Sequence, residues 1–271
     1  MKRHLIGTAS VAVLAACAGG RTASEPIYEI RATEAPIRYG LEATQQSVIE
    51  LPNGGEQEIG STTNATMAVS YGQPGEAGIP FVLTFEELQM GGAAGGADLS
   101  SVIGQPIRGT IALDGGISVE EAPEIDAPGV EAEGLVEVIS PLIVPLPPDG
   151  DPDTESWPLE RSRPVSGGMS GESSFTGMVR FTPANDWEGT PARVILSEGE
   201  LRQRASGMPP GAPSEVDLDL EGESATTYAW DPARGIVLQV DQRVTLEGTV
   251  STQGMALPMT TEVNQTIRLL P

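Results

Sequence analysis

Asp149, Asp151 and Asp153 alternate along a short acidic run, and Glu160 stands at position twelve counted from Asp149. Carboxylates at that spacing can wrap oxygen ligands around a hard cation such as calcium. Thr154 holds the place that wants glycine, and Pro152 sits inside the run. A calcium loop and a solvated acidic turn are both open readings of this stretch. A second acidic series, Glu215, Asp217, Asp219, Glu221 and Glu223, stacks charge along one face of a predicted strand. Like charges at that spacing repel, and an arginine-bearing neighbour or a cation would relieve them. Glu86-Glu87, Glu120-Glu121 and Asp186 with Glu188 are carboxylate pairs of the kind glycoside hydrolysis needs. Adjacent strand residues point to opposite faces, however. With 38 acidic residues in the chain, such pairs also arise by chance. Ser170 lies in Gly168-Met169-Ser170-Gly171, which is not a nucleophile elbow. Trp157, Trp187 and Trp230 fit core positions and could also line a groove.

The missing side chains narrow the chemistry further. Lys2 is the only lysine and His4 the only histidine, so every other cationic side chain is arginine. Beyond residue 4 there is no histidine base for a Ser-His-Asp or Cys-His site. His-ligated zinc, a Schiff-base lysine and a P-loop lysine are excluded on the same ground. The formal net charge of -23 argues against a nucleic-acid partner, which needs a basic surface. No catalytic residue, metal ligand or cofactor is assigned, and the ligand-binding residues stay open. The expectation is a protein that is not an enzyme.

Cys17 is the only cysteine, and it closes the run Leu14-Ala15-Ala16-Cys17. Before it stand Met1-Lys2-Arg3-His4 and a short apolar stretch from Leu5 to Ala16. A positive start, a short apolar run and small residues at a cut site make a secretory signal. The apolar run is too short for a permanent membrane span. The four residues ending in Cys17 resemble the bacterial lipobox. That resemblance implies cleavage before Cys17, a covalent diacylglyceryl group on its sulfur, and anchoring to a membrane. Two or more acyl chains on one residue hold firmly, where one holds marginally. Ala18 follows the cysteine, where an aspartate would retain a lipoprotein in the inner membrane, so the resemblance favours the outer membrane of the cell envelope.

The elements behind these residues are mostly strands. Residues 1–16 read as the signal peptide, and 17–35 as the lipidated terminus and a flexible tether. Residues 36–128 read as an N-terminal β half. Ile37, Tyr39 and Leu41 share one parity before the turn Asn53-Gly54-Gly55, and Ala65, Met67 and Val69 share one after it. Gln45, Ser47, Ser61 and Thr63 fall on that same parity, so the face is only partly dry. Residues 129–165 read as a short helix and a Pro/Asp-rich connection, with Leu135, Ile139 and Leu142 at helical spacing. Residues 166–271 read as a C-terminal β half. Within it, Glu200 to Ala205 is expected to pair back on Ala192 to Leu196. Its last hairpin turns at Gln253-Gly254. The predicted fold is mainly β: antiparallel curved sheets, half-barrel or sandwich-like, in two similar-sized halves with one short central helix.

Leu146-Pro147-Pro148-Asp149 followed by Trp157 is similar to the divider between two β-rich halves in exported bacterial envelope lipoproteins. More distantly, the succession of hairpins resembles the half-barrels of lipoprotein carriers and mycobacterial-type lipid-binding lipoproteins. That resemblance implies a lipid or other apolar ligand held against a concave face. The alternative is a structural or protein-interaction module of the envelope, with a carboxylate-dependent hydrolase behind both.

Overall fold

The computed structural model describes residues 30–92, 98–112, 116–125, 132–148, 150–151, 153–165, 169–208 and 214–271. Cys17, the signal, Asp149 and Pro152 lie outside the described residues. The chain runs through β1 (Ile37–Glu50), β2 (Glu56–Tyr71), β3 (Ile79–Gly92), β4 (Pro106–Ile111) and β5 (Ile117–Glu121). A short helix, α1 (Ala132–Val136), follows and continues as a 3-10 helix over Glu137–Leu142. The chain returns through β6 (Ser156–Pro164), β7 (Met169–Phe181), β8 (Asp186–Trp187), β9 (Thr190–Pro191), β10 (Arg193–Gly207), β11 (Val216–Asp231), β12 (Ile236–Thr252) and β13 (Met255–Leu269).

Eleven of these strands form one antiparallel sheet in the order β5-β4-β3-β2-β1-β13-β12-β11-β10-β7-β6. The sheet is curved like a half-barrel and does not close. The two β-rich halves of the sequence are flanks of this one sheet. They meet where β1 pairs with β13, from Tyr39 opposite Leu269 to Ile49 opposite Met259. The mostly β, antiparallel, curved class with one short helix is as the residue pattern predicts.

The core lies on the concave face at one end of the strands. Tyr39 and Leu41 of β1, Met67 and Val69 of β2, Phe81, Leu83 and Phe85 of β3, and Ile267 of β13 are buried there. Period-two alternation puts these residues on one face. Leu135, Val136, Ile139 and Leu142 of the helical segment close over them in the same cluster. Pro141 inside that segment holds it to a short length. This is the closed end of the sheet.

Three expectations need correction. The stretch assigned to the connection contains β6, whose residues Ser156 to Pro164 pair with β7. Pro158 and Pro164 hide it in the sequence, yet an edge strand tolerates proline because one side needs no ladder partner. Second, residues 193–207 form one uninterrupted strand, so Glu200 to Ala205 does not fold back. Gly199 sits mid-strand opposite Gly177. Third, the tether does not run free to residue 35. Ile30 packs on the core, Thr33 exchanges hydrogen bonds with Tyr71 at 2.9 and 3.0 Å, and Arg31 donates to the Ala233 carbonyl at 3.2 Å. The chain enters the fold at the closed end.

Candidate functional site: the concave face beyond the helix

The strands continue well past the helical cover. On β11, β12 and β13 the concave parity carries Leu220, Val244, Leu246, Met259 and Val263. Leu220, Val244 and Leu246 are buried, and Leu201 of β10, Met259 and Val263 pack half-buried around them. No residue of the helical segment joins this second cluster. Between the two clusters runs a polar belt, with Thr226 opposite both Ser197 and Gln242, and Gln242 opposite Gln265. Gln265 donates to the Val138 carbonyl at 3.4 Å, tying the belt to the helical cover. Farther on, Ser47 and Thr261 share a buried hydrogen bond of 2.9 Å. The concave face is thus apolar under the helical segment, then polar, then apolar again, where Leu220, Val244 and Leu246 are buried without the helical segment and Leu201, Met259 and Val263 are half-buried.

Glycines make the uncovered part curl. Gly177 faces Gly199 across β7 and β10. Gly222 and Gly248 step diagonally onward across β11 and β12. A Cβ on Gly222 would lie 2.0 Å from the Thr245 carbonyl oxygen, and one on Gly248 would lie 2.1 Å from that of Asp219. Gly199 and Gly177 would meet carbonyl oxygens at 2.3 Å. Backbones approach there more closely than any side chain permits, which is how glycine kinks impose curvature on a sheet.

The outer face at this bend is a polar groove of about 800 Å³. Arg204, Asp219, Glu221, Glu223 and Glu247 line it over a floor that includes Gly222 and Gly248. The stacked acids predicted on β11 find an arginine strand beside them. Arg204 pairs with Asp219 at 3.1 Å and Arg202 with Glu221 at 3.4 Å. Glu221 also stands directly opposite Glu247. A smaller outer concavity of about 310 Å³ lies among Thr44, Gln46, Glu58, Thr62, Glu262 and Asn264.

The other candidate residues are dispersed. The Asp151 carboxylate accepts the Asp153 amide at 2.9 Å, a local turn on the surface. Glu160 is exposed on β6 opposite Thr176. Four strand residues after Ser156 carry it about 13 Å from the start of β6, so the fold does not bring it to Asp151 and Asp153. Among the described residues no group of three or more His, Cys, Asp or Glu side chains is placed to hold a metal ion. Glu86 is clasped by Arg38 through contacts of 2.7 to 3.1 Å. Glu120 accepts the Thr110 hydroxyl at 2.7 Å, and Glu121 pairs with Arg108 at 3.1 Å. Ser170, Asp186 and Glu188 are exposed.

Trp157 and Trp230 are core residues, and their buried indole N–H groups find no acceptor among the described residues. Trp187 is half-buried and donates to Gln239 at 3.2 Å. Three buried tyrosines also mark the closed end. Burial pushes the phenols of Tyr39, Tyr71 and Tyr228 above their usual range. The parity of Val244, Leu246, Met259 and Val263 is visible in the sequence. That they form a face beyond the helix is not, although glycines on the inward parity of long strands signal a close backbone approach.

No family model matches the chain, and no curated protein matches it. Among solved structures the chain is similar to DynF from the dynemicin biosynthesis pathway of Micromonospora chersina. The identity is 11%, 92% of this chain and 88% of that one are covered, and the TM-score is 0.27. It is also similar to a LolA-superfamily protein of Nitrosomonas europaea, at 9% identity over 91% of each chain with a TM-score of 0.20.

Proposed function

We propose that this chain is an exported envelope lipoprotein, held at the outer membrane through Cys17, that binds a lipid or other apolar ligand without catalysing a reaction. The observation that carries the reading is the second apolar cluster. Leu201, Leu220, Val244, Leu246, Met259 and Val263 continue the inward apolar face past the last residue of the helical cover. The half-buried Leu201, Met259 and Val263 of this face offer a long ligand apolar surface whose burial contributes about 25 cal/mol per Å². The polar belt of Thr226, Ser197, Gln242 and Gln265 would meet a polar group at one end of such a ligand. The non-catalytic part of the reading draws on the side chains. The Glu86, Glu120 and Glu121 carboxylates are held by Arg38, Thr110 and Arg108. Beyond residue 4 the chain has neither histidine nor lysine.

The test is titration of the unlipidated chain, beginning at Ala18, with cis-parinaric acid. Saturable fluorescence enhancement, displaced by palmitate, is expected. Met259→Glu and Leu257→Glu change half-buried positions, so they place charge on the face without breaking the closed-end core. Both should abolish the enhancement while the circular dichroism spectrum stays unchanged. Absence of saturable binding, or full binding by both variants, would refute the reading.

A further inference from the structure

We infer that the open end of the half-barrel is a docking surface for a cationic protein segment with an apolar centre, and that it faces away from the membrane in which the chain is anchored. The inference rests on the proposed anchoring and ligand reading and names a partner for the open end of the same sheet.

Geometry supplies the first argument. The chain enters the fold at the closed end, where Ile30 packs, Thr33 pairs with Tyr71 and Arg31 reaches Ala233. The open end lies at the other extremity of the strands, at the turn 51–55 and at the turn Gln253-Gly254. Strands such as β12, 17 residues long, span about 50 Å. Ile30 is thirteen positions after Cys17, with twelve residues between them. A chain of that length reaches at most ~45 Å when fully extended. With Cys17 in the bilayer, the closed end is held within ~45 Å of the lipid surface, and the open end, about 50 Å farther along the strands, carries no such tie.

Surface chemistry supplies the second. Ile59, Met208 and Met255 are 37%, 58% and 50% exposed, and all three sit at the open end. Among the described residues, Met178 is the other large apolar residue so exposed. Around them stand the exposed carboxylates Glu50, Glu56, Glu58, Glu215 and Asp217. None of the ion pairs among the described residues uses any of these five. Glu50 is directly opposite Glu56 in the ladder, a like-charge pair that a cationic partner would relieve. The sequence stretches 93–97, 166–168 and 209–213, which follow β3, β6 and β10, carry no charged residue. An acidic rim around exposed apolar side chains repels an anionic bilayer and complements a basic surface.

Two measurements test this, the first on the full lipidated chain in vesicles of phosphatidylethanolamine and phosphatidylglycerol. First, a donor dye placed through Gln253→Cys should transfer little energy to a rhodamine-labelled lipid, and one placed through Ala233→Cys should transfer strongly. Equal transfer from both sites overturns the orientation. Second, a synthetic peptide of alternating lysine and leucine is titrated, without vesicles, against the unlipidated chain beginning at Ala18. The rim variant Glu50→Gln/Glu56→Gln/Asp217→Asn, and separately Ile59→Ser/Met255→Ser, should each weaken binding at least about tenfold. Glu221→Gln/Glu223→Gln/Glu247→Gln removes the same charge from the outer groove and should leave binding within about twofold. Equal weakening by the two charge variants, or no weakening by the apolar variant, means attraction to net charge alone and overturns the proposal. Parinarate binding by the rim variants separates this outcome from failure of the ligand reading.

Discussion

At the closed end of the sheet, Trp230 is 1% exposed and Met67, Val69 and Phe85 are fully buried, in one cluster with Leu135 and Ile139 of the helical segment. At the open end of the same strands, Leu201, Met259 and Val263 stay half-buried around Leu220, Val244 and Leu246, and nothing from the helical segment reaches them. Alternation is continuous along β12, from Val240 at one end to Val244, Leu246 and Val250 toward the other. What differs is the cover and the curvature. A helix completes one end, and a diagonal of glycines curls the other upon itself. Pattern along a strand thus decides which side chains face inward, and what packs over them, the helical segment or neighbouring strands, decides how completely they are buried.

The largest break in this comparison comes from truncating each end. Trp230→Ala removes a fully buried indole and should cost about 3–5 kcal/mol in urea unfolding. Met259→Ala, at the half-buried open end, should cost below about 1 kcal/mol. Similar losses at the two sites would show that the open end is core after all. Trp230→Phe sharpens the point, because the indole N–H has no acceptor among the described residues to strand. It leaves a smaller cavity than Trp230→Ala and should cost clearly less.

Alkali should act on the closed end alone. Tyr39, Tyr71 and Tyr228 are three of the four tyrosines in the chain, and burial raises all three phenols above their ordinary value of 10.0. The folded state therefore holds protons that the unfolded chain releases. The stability carried by these phenols is complete below pH 10 and is lost as pH rises through their raised folded values. The slope approaches about 1.4 kcal/mol per pH unit for each phenol that stays protonated in the fold. Urea midpoints between pH 9 and pH 12 would show it, and Tyr228→Phe should make the decline shallower. A midpoint flat across that range would contradict the burial of these groups.

Much of this architecture is legible in the residues. The β1–β2 and β12–β13 hairpins follow from alternation and from the turns Asn53-Gly54-Gly55 and Gln253-Gly254. The helical segment follows from Leu135, Ile139 and Leu142. Strand β6 is not legible, because Pro158 and Pro164 speak against a strand until its edge position is known. Gly199 reads as a turn because local sequence cannot announce that Gly177 lies opposite it. The β1–β13 pairing joins residues far apart in the chain and leaves no local signature. The candidate site was legible as parity and illegible as exposure, since exposure depends on where the helical segment ends in space.

The curl at the open end can be tested at one atom. Gly222→Ala puts a Cβ where the Thr245 carbonyl oxygen stands, 2.0 Å away in the present backbone. The strands must separate, at about 1–3 kcal/mol. Gly54→Ala probes a different constraint, because φ there is +78° and the space around a Cβ is open. If curvature is what Gly222 provides, Gly222→Ala should also alter parinarate binding, whereas Gly54→Ala should leave it unchanged. Comparable titration curves for the two variants would remove the glycine diagonal from the account of the site.

The smallest expected effect lies on the outside of that bend. Glu221 and Glu247 face each other across β11 and β12. Glu221 has Arg202 at 3.4 Å on its other flank, whereas the residue on the other flank of Glu247 is Thr260. Glu247→Gln relieves the like-charge pair and leaves the arginine contact in place, so it should stabilise the fold by about 0.2–1 kcal/mol. Glu221→Gln removes the repulsion together with the exposed ion pair, and the two changes should nearly cancel. Both groups are solvent-exposed, so the gain from Glu247→Gln should vanish near 1 M salt, where screening acts within about 3 Å. A gain that survives high salt would place its origin in packing along β12 instead of charge. That outcome would make the outer face of the bend, like the closed end, a place where shape outweighs electrostatics.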